Sequence, residues 1–349
     1  MSQEDLRSKK ILYLPPHNDA CAWYRCIVPG LALREKGWHV DFAQRADAEL
    51  LKQYDVIIFQ RANNESALKC VEYCNSLGIL TVGEIDDNLW LIHEANPAYE
   101  VWTRERLTGL EKFLRKVRLI TTTTRALADY LHRFNSNAVI LPNMLPEVYW
   151  QVRHTERTDG KIVMGWAGSA SHWPDLELIK DVIPQILDEY PKAELHISGL
   201  NKTPFPKHER IKIVEPVHGE DFALLLATFN VGLVPLINSK FNDCKSDLKF
   251  IEYAMVGLPV IASDVDAYRR TLKNGETGFL ARNSKDWLKY TRRLLDNPDI
   301  RKKVGENARK YAETRTIEKN IGMWEEAYGL ERRTSNDEGR TTEGAENVE

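Results

Sequence analysis

The chain has 349 residues, 43% hydrophobic and 28% charged, with a formal net charge of −3. That length exceeds one small core and implies two domains, while the near balance of charge disfavours a dedicated nucleic-acid binder. No run approaches the roughly 18 uninterrupted apolar residues of a membrane span, and the opening MSQEDLRSKK lacks the apolar core of a signal peptide.

In chain order, KILYL, HVDFA, DVIIF, ILTVGE, RLITTT and AVILP are short β-branched runs separated by helix-length segments over residues 10–142. This is the alternation of a doubly wound parallel sheet. It pauses over the polar stretch LPEVYWQVRHTERTDG, residues 145–160. Strand signals resume at KIVMGW, AELHIS, IKIVEP, NVGLVPL, PVIAS and GFLA, followed by successive helices over 284–329. The expectation is an α/β chain of two Rossmann-like, doubly wound domains facing a cleft. The limits are 1–144 for the first domain, 145–160 for a linker, 161–315 for the second domain and 316–330 for a closing helix. From Glu331 three basic and six acidic residues account for the whole net charge. That tail has almost no apolar side chains and is expected to be disordered over 331–349.

Five cysteines, Cys21, Cys26, Cys70, Cys74 and Cys244, are an odd count without zinc-site spacing. They read as reduced thiols and point to the cytoplasm. The stretch VWTRERLTGLEKFLRKVRLI holds six basic and two acidic residues between Arg104 and Arg118. Its helical spacing fits a sheet-covering helix with a solvated basic face first, and peripheral contact with an anionic inner membrane face second.

The segment CKSDLKFIEYAMVGLPVIAS, residues 244–263, predicts a helix over 246–256 capped by Asp243 or Ser246, then a turn at Gly257 and an apolar strand. Lys245, Lys249 and Glu252 fall at i, i+4 and i+7 on one stripe. A helix start with two lysines suits a diphosphate, and a carboxylate one turn deeper suits adjacent ribose hydroxyls. A Lys249–Glu252 surface pair is the competing reading.

Here the sequence resembles the retaining, GT-B-fold glycosyltransferases of family four. Glu252, Ala254, Gly257, Pro259, Val260 and Ile261 match the family's second glutamate and the Ala-x-x-x-Gly-x-Pro-Val-Ile that follows. The family's first glutamate falls at Cys244, with Asp243 one residue out of register. VILPNML at 139–145 resembles the strand end before the interdomain crossing, and MGWAGSASHWPDLELI resembles the first strand and glycine loop of the donor domain. The resemblance implies donor contacts by Gly168, Ser169, Asn242, Lys245, Ser246, Lys249 and Glu252. A plain strand-to-helix turn capped by Ser171 or Asp175 is the alternative for the glycine loop, and His172 reads as a loop histidine.

The first half resembles the family in architecture only. His17, Asn18, Asp19 and Arg25 sit at the cleft-facing end of the first strand. His17 is a candidate catalytic group and Asn18 and Arg25 are candidate acceptor contacts, with helix capping an equal account of Asn18 and Asp19. In TVGEIDDNLW, Glu84, Asp86 and Asp87 lie beyond ILTV. There Asp86 and Asp87 could orient an acceptor hydroxyl or take its proton; a structural turn ranks second and a metal site third. The combined expectation is a hexosyltransferase-like glycosyltransferase acting in glycan biosynthesis. Its donor is a nucleoside-diphosphate sugar of the UDP, GDP or ADP type, its acceptor a glycan, lipid-linked or small-molecule hydroxyl, and it needs no metal or other cofactor. A GT-B nucleotide-sugar epimerase and a non-catalytic nucleotide-sugar or glycan-binding scaffold are the rivals. A nucleic-acid acceptor is disfavoured by the neutral body.

Overall fold

The computed structural model describes residues 9–330 apart from His218, so the tail from Glu331 lies outside the described residues. The first sheet comprises β1 (Lys10–Leu14), β2 (His39–Phe42), β3 (Val56–Gln60), β4 (Leu80–Ile85), β5 (Leu119–Thr122) and β6 (Ala138–Ile140). The second comprises β7 (Ile162–Ala167), β8 (Ala193–Ser198), β9 (Ile211–Val214), β10 (Val231–Val234), β11 (Val260–Ser263) and β12 (Phe279–Ala281). Both are wholly parallel, in the orders β2-β1-β3-β4-β5-β6 and β12-β11-β10-β7-β8-β9. Each of the twelve apolar runs read from the sequence forms a strand. Central strands such as VIIFQ and VIAS are buried along their whole length, as parallel strands covered on both faces must be.

Strand order reverses beside β1 in the first sheet and beside β7 in the second. Open α/β sheets bind ligands at such switch points, outside the carboxyl ends of the strands. After β12, the Ser284–Asp296 and Pro298–Ala312 helices complete the second domain's cover. The chain then returns. Leu145 N–H donates to the Arg315 carbonyl at 3.0 Å and Ile317 N–H to the Leu145 carbonyl at 3.0 Å, so the outward and return crossings run side by side. Ile317, Ile321, Trp324 and Tyr328 then bury themselves against Ile11, Tyr13 and Leu33 of the first domain. The closing segment thus crosses back, as two short helices, Ile317–Asn320 and Gly322–Ala327.

The Arg104–Leu114 helix spends its apolar stripe on the first sheet. Leu110, Phe113 and Leu114 are buried there, with Arg104, Arg106, Lys112 and Arg115 outside, which is the sheet-covering arrangement. Among the described residues no helix is long and apolar enough to cross a membrane. The helix expected over 246–256 runs from Leu248 to Met255. Of the two expected caps, Ser246 holds, its hydroxyl accepting from Leu248 N–H at 3.4 Å; Asp243 closes a separate short helix, Lys240–Asp243, and Asp247 at the N-cap position pairs with Arg315 at 2.8 Å.

Candidate functional site

The second domain's half of the cleft is built on the loop after β7 and the start of the Leu248–Met255 helix. Gly168 N–H donates to the Ser198 carbonyl at 3.1 Å. The loop lies so close to the end of β8 that a Cβ on Gly199 (φ 91°) would come 1.8 Å from the Gly168 oxygen. Only glycine meets both the left-handed backbone and that approach. Ser169 opens a 3-10 turn over Ala170–His172, with its hydroxyl 2.7 Å from that of Ser171. Asp175 ties the loop down, accepting from Ile237 N–H at 2.8 Å and lying 2.8 Å from His172 Nδ1. It therefore staples two cleft loops together and does not cap the turn. Burial pushes the His172 imidazole below its usual range; Lys249 and Lys245 push the same way, against the pull of Asp175.

The three residues of the polar stripe face different partners. Lys249 donates to the Ala167 carbonyl and lies over the Trp166 ring, 5.3 Å from its centroid. Burial lowers its pKa, opposed by Glu252 and Asp175. Glu252 is 7% exposed and accepts from the Tyr24 hydroxyl at 2.6 Å; burial raises its carboxyl above the ordinary range, while Lys249 and Tyr24 pull it back. Lys245 pairs with Asp87 of the first domain at 3.1 Å and lies over Phe241. The lysines and the glutamate are thus half-buried or buried at the cleft, and the surface-pair reading of Lys249–Glu252 gives way. Ser246 accepts from Asn143 Nδ2 at 2.8 Å. Asn242 turns inward, donating to the Ile237 carbonyl at 2.8 Å.

On the opposite side, Asp86 and Asp87 follow β4 and converge on Arg61, whose Nε lies 2.6 Å from Asp86. Arg61 stands at the end of β3 with a left-handed backbone, φ 49°. Such backbone strain in a non-glycine residue clusters at functional sites. Burial pushes the Asp87 carboxyl up, but Lys245, Arg61 and His172 overcome it, so its pKa is lowered and it stays ionised. Asp86 and Asp87 therefore meet the stripe through Lys245.

Glu84 and Arg25 behave differently from their sequence expectation. Glu84 lies within β4 and not beyond it. Arg25, 2% exposed, forms a fork on it at 2.7 and 3.1 Å and also donates to the Leu141 carbonyl at 2.6 Å and Asn143 Oδ1 at 3.0 Å. Arg25 is thus an internal clamp beneath the cleft, out of reach of an acceptor. His17 and Asn18 are exposed on the loop after β1, and Asp19 caps the next helix, accepting from Ala22 N–H at 2.8 Å.

Sequence reasoning missed the residues that join the two halves. Cys244, at the position of the family's first glutamate, is 5% exposed. It packs with Phe241 into the first domain's core beside Leu89 and Ile92. Its Sγ is 3.4 Å from Asn88 Nδ2, and its carbonyl accepts from the Thr124 hydroxyl at 2.8 Å. Tyr24 answers from the other side, buried in the second domain's core with Phe250, Ile251 and Tyr253. An aromatic beside an arginine in the apolar run ACAWYRCIVPG was the available signal for Tyr24; nothing local marks Asn88 or Thr124.

Two doubly wound six-stranded domains about one cleft, with C-terminal helices crossing back, define the GT-B architecture of glycosyltransferases. Residues 161–297 match the family model described as Glycosyl transferases group 1, so this stretch is similar to a group 1 glycosyltransferase domain. D-inositol 3-phosphate glycosyltransferase from Corynebacterium glutamicum (strain R) is 23% identical, covering 56% of this chain and 53% of that protein. The chain therefore spans about half the length of that curated relative. Among solved structures, sucrose-phosphate synthase from Thermosynechococcus elongatus superposes with a TM-score of 0.66 at 17% identity, covering 92% of this chain and 98% of that one. HepE from Anabaena, in complex with UDP and glucose, gives 0.64 at 14% identity over 90% and 98%.

Proposed function

We propose that the protein is a glycosyltransferase that moves a sugar from a nucleoside-diphosphate sugar to an acceptor hydroxyl, with retention of configuration and without a metal. The observation that carries this reading is the arrangement of Lys245, Lys249 and Glu252 behind the Gly168 loop at the β7 switch point. Glu252 takes the ribose hydroxyls. The Gly168 and Ser169 amides, the helix start near Ser246 and the two lysines stabilise the charge left on the leaving diphosphate. Lys245, held by Asp87 at 3.1 Å, is the group that must exchange partners when a diphosphate enters.

On the acceptor side, Asp87 and Asp86 are the carboxylates placed to orient or deprotonate a hydroxyl, with His17 and Asn18 on the exposed rim. The UDP and glucose in the HepE complex support a uridine nucleotide as the first donor to test. A glycan or other hydroxylated small molecule is the acceptor class. The domain limits follow the crossings: 1–144 for acceptor, 161–315 for donor, 145–160 as linker and 316–330 closing on the first domain. Free cysteines at all five positions support a reducing, cytoplasmic setting.

A thermal-shift screen of UDP, GDP, ADP and their common sugars, with and without magnesium, tests the reading on wild type and Glu252→Ala. A ligand at a hundred times its dissociation constant adds about 2.7 kcal/mol. Metal-independent stabilisation by one diphosphate, lost in the variant, is the expected result. Stabilisation by none would overturn the donor assignment and leave a shared fold only.

A further inference from the structure

Residues 20–35 form one helical run in which Trp23–Ile27 makes a π-turn between two α-helical segments. Such turns are rare and are frequent at functional sites. Here Tyr24, Arg25 and Cys26 are all buried, more than one face of a helix packed on one surface requires. The turn serves two domains. Arg25 and Cys26 point into the first, against Glu84 and Tyr13, whereas Tyr24 enters the core of the second.

The Tyr24 hydroxyl reaches Glu252 Oε1 at 2.6 Å, across 228 residues of sequence. A phenylalanine would fill the same volume without carrying a hydroxyl into a buried region, so the oxygen is accounted for by the carboxylate. Among the described residues the Tyr24 hydroxyl is the hydrogen-bond donor to this carboxylate; the Lys249 ammonium supplies charge without a direct bond. Anchoring Oε1 fixes the plane of the group. Oε2 and the second lone pair of Oε1 are then left in a defined direction, as a pair of adjacent hydroxyls requires.

We propose that Tyr24 is a positioning residue for nucleotide binding: its hydroxyl, delivered across the cleft by the π-turn, orients the Glu252 carboxylate toward a ribose diol. This rests on the reading of Glu252 as the ribose contact. It makes nucleotide affinity depend on the closed approach of the two domains, and by reciprocity nucleotide binding favours that approach. The first domain thereby contributes to the donor site without touching the donor.

The test is calorimetric titration of UDP, ADP and GDP, and of the 2′-deoxy form of whichever binds. The proteins are wild type, Tyr24→Phe, Glu252→Gln and the double variant. The expected result is a roughly five- to tenfold loss of affinity in Tyr24→Phe for the ribonucleotide. A smaller loss is expected for the deoxynucleotide, and less than about a twofold further loss when the change is added to Glu252→Gln. Tyr24 as packing alone predicts equal effects on both nucleotides, or a loss that persists in the Glu252→Gln background, and either overturns the proposal. Weakened binding in Glu252→Gln with unchanged binding in Tyr24→Phe refutes the role of Tyr24 and keeps the ribose contact. Wild-type affinity in Glu252→Gln, or no binding by any of the three diphosphates, removes both.

Discussion

Replacing Arg25 by methionine isolates the clamp beneath the cleft. The side chain keeps an unbranched apolar stem and loses two bonds to Glu84 and one each to the Leu141 carbonyl and Asn143. Removing one partner of a buried pair typically costs about 3–5 kcal/mol, because a charge is left uncompensated. Glu84 can limit that cost by taking a proton. From an ordinary glutamate pKa of about 4.3, protonation at pH 7 costs about 3.7 kcal/mol, at 1.36 kcal/mol per unit. The carboxylate part of the penalty therefore cannot exceed that figure. At about pH 5.5 the same ceiling is about 1.6 kcal/mol.

The sign follows from the site. Burial already raises the Glu84 carboxyl and Arg25 pulls it back; without Arg25 it rises further above its unfolded value. A group raised on folding favours the native state below its unfolded pKa, and that contribution is lost as pH rises through the folded pKa. Urea unfolding of wild type, Arg25→Met and Arg25→Met/Glu84→Gln at about pH 7 and about pH 5.5 should show a destabilisation that shrinks at the lower pH, by at most about 2 kcal/mol. The double variant should be relieved of most of this pH dependence, keeping only the cost of the unpaired Leu141 carbonyl and Asn143. A penalty equal at both pH values, or unaffected by Glu84→Gln, would refute the clamp.

Lys249→Met should weaken diphosphate binding by roughly ten- to a hundredfold, the value of one charged hydrogen bond, while leaving the fold intact. Because burial lowers the Lys249 pKa, wild-type affinity should fall with rising pH before the ordinary lysine range is reached; titration calorimetry showing no such fall up to about pH 10 would count against it. Cys244→Glu restores the family's first glutamate in sequence. It should destabilise the protein in thermal denaturation by up to about 3.7 kcal/mol at pH 7 without tightening nucleotide-sugar binding; tighter binding at unchanged stability would show that the loop can open to the sugar.

The strands were legible because most are short apolar runs rich in β-branched residues and ended by turn residues, and burial of the central ones on both faces leaves little freedom in reading them. The polar stripe was legible for a similar reason: helical spacing brings Lys245, Lys249 and Glu252 to one side whatever lies opposite. The roles of Glu84 and Arg25 were not. A carboxylate at the end of TVGE reads equally as a strand end facing solvent or as the partner of a charge elsewhere, and that partner lies 59 residues away. The place of Asp247 was hidden on the same ground: it stands at the helix N-cap but is drawn off by Arg315, 68 residues on.

Cys244 shows why a motif position and a site position can separate. Counting eight residues back from Glu252 treats the 240–244 segment as a loop aimed at a donor sugar, where a thiol is only a missing carboxylate. In the folded chain that segment carries Phe241 and Cys244 into the first domain's core, while Tyr24 travels the opposite way into the second. An acid at 244 would be buried against Leu89 and Ile92, so the thiol fits the reciprocal docking of the two domains. The carboxylates nearest the cleft between the stripe and the first sheet are then Asp86 and Asp87, held by Arg61 and Lys245. In a cleft closed this way, the first domain presents both carboxylates, Asp86 held by its own Arg61 and Asp87 shared between Arg61 and Lys245 of the second domain.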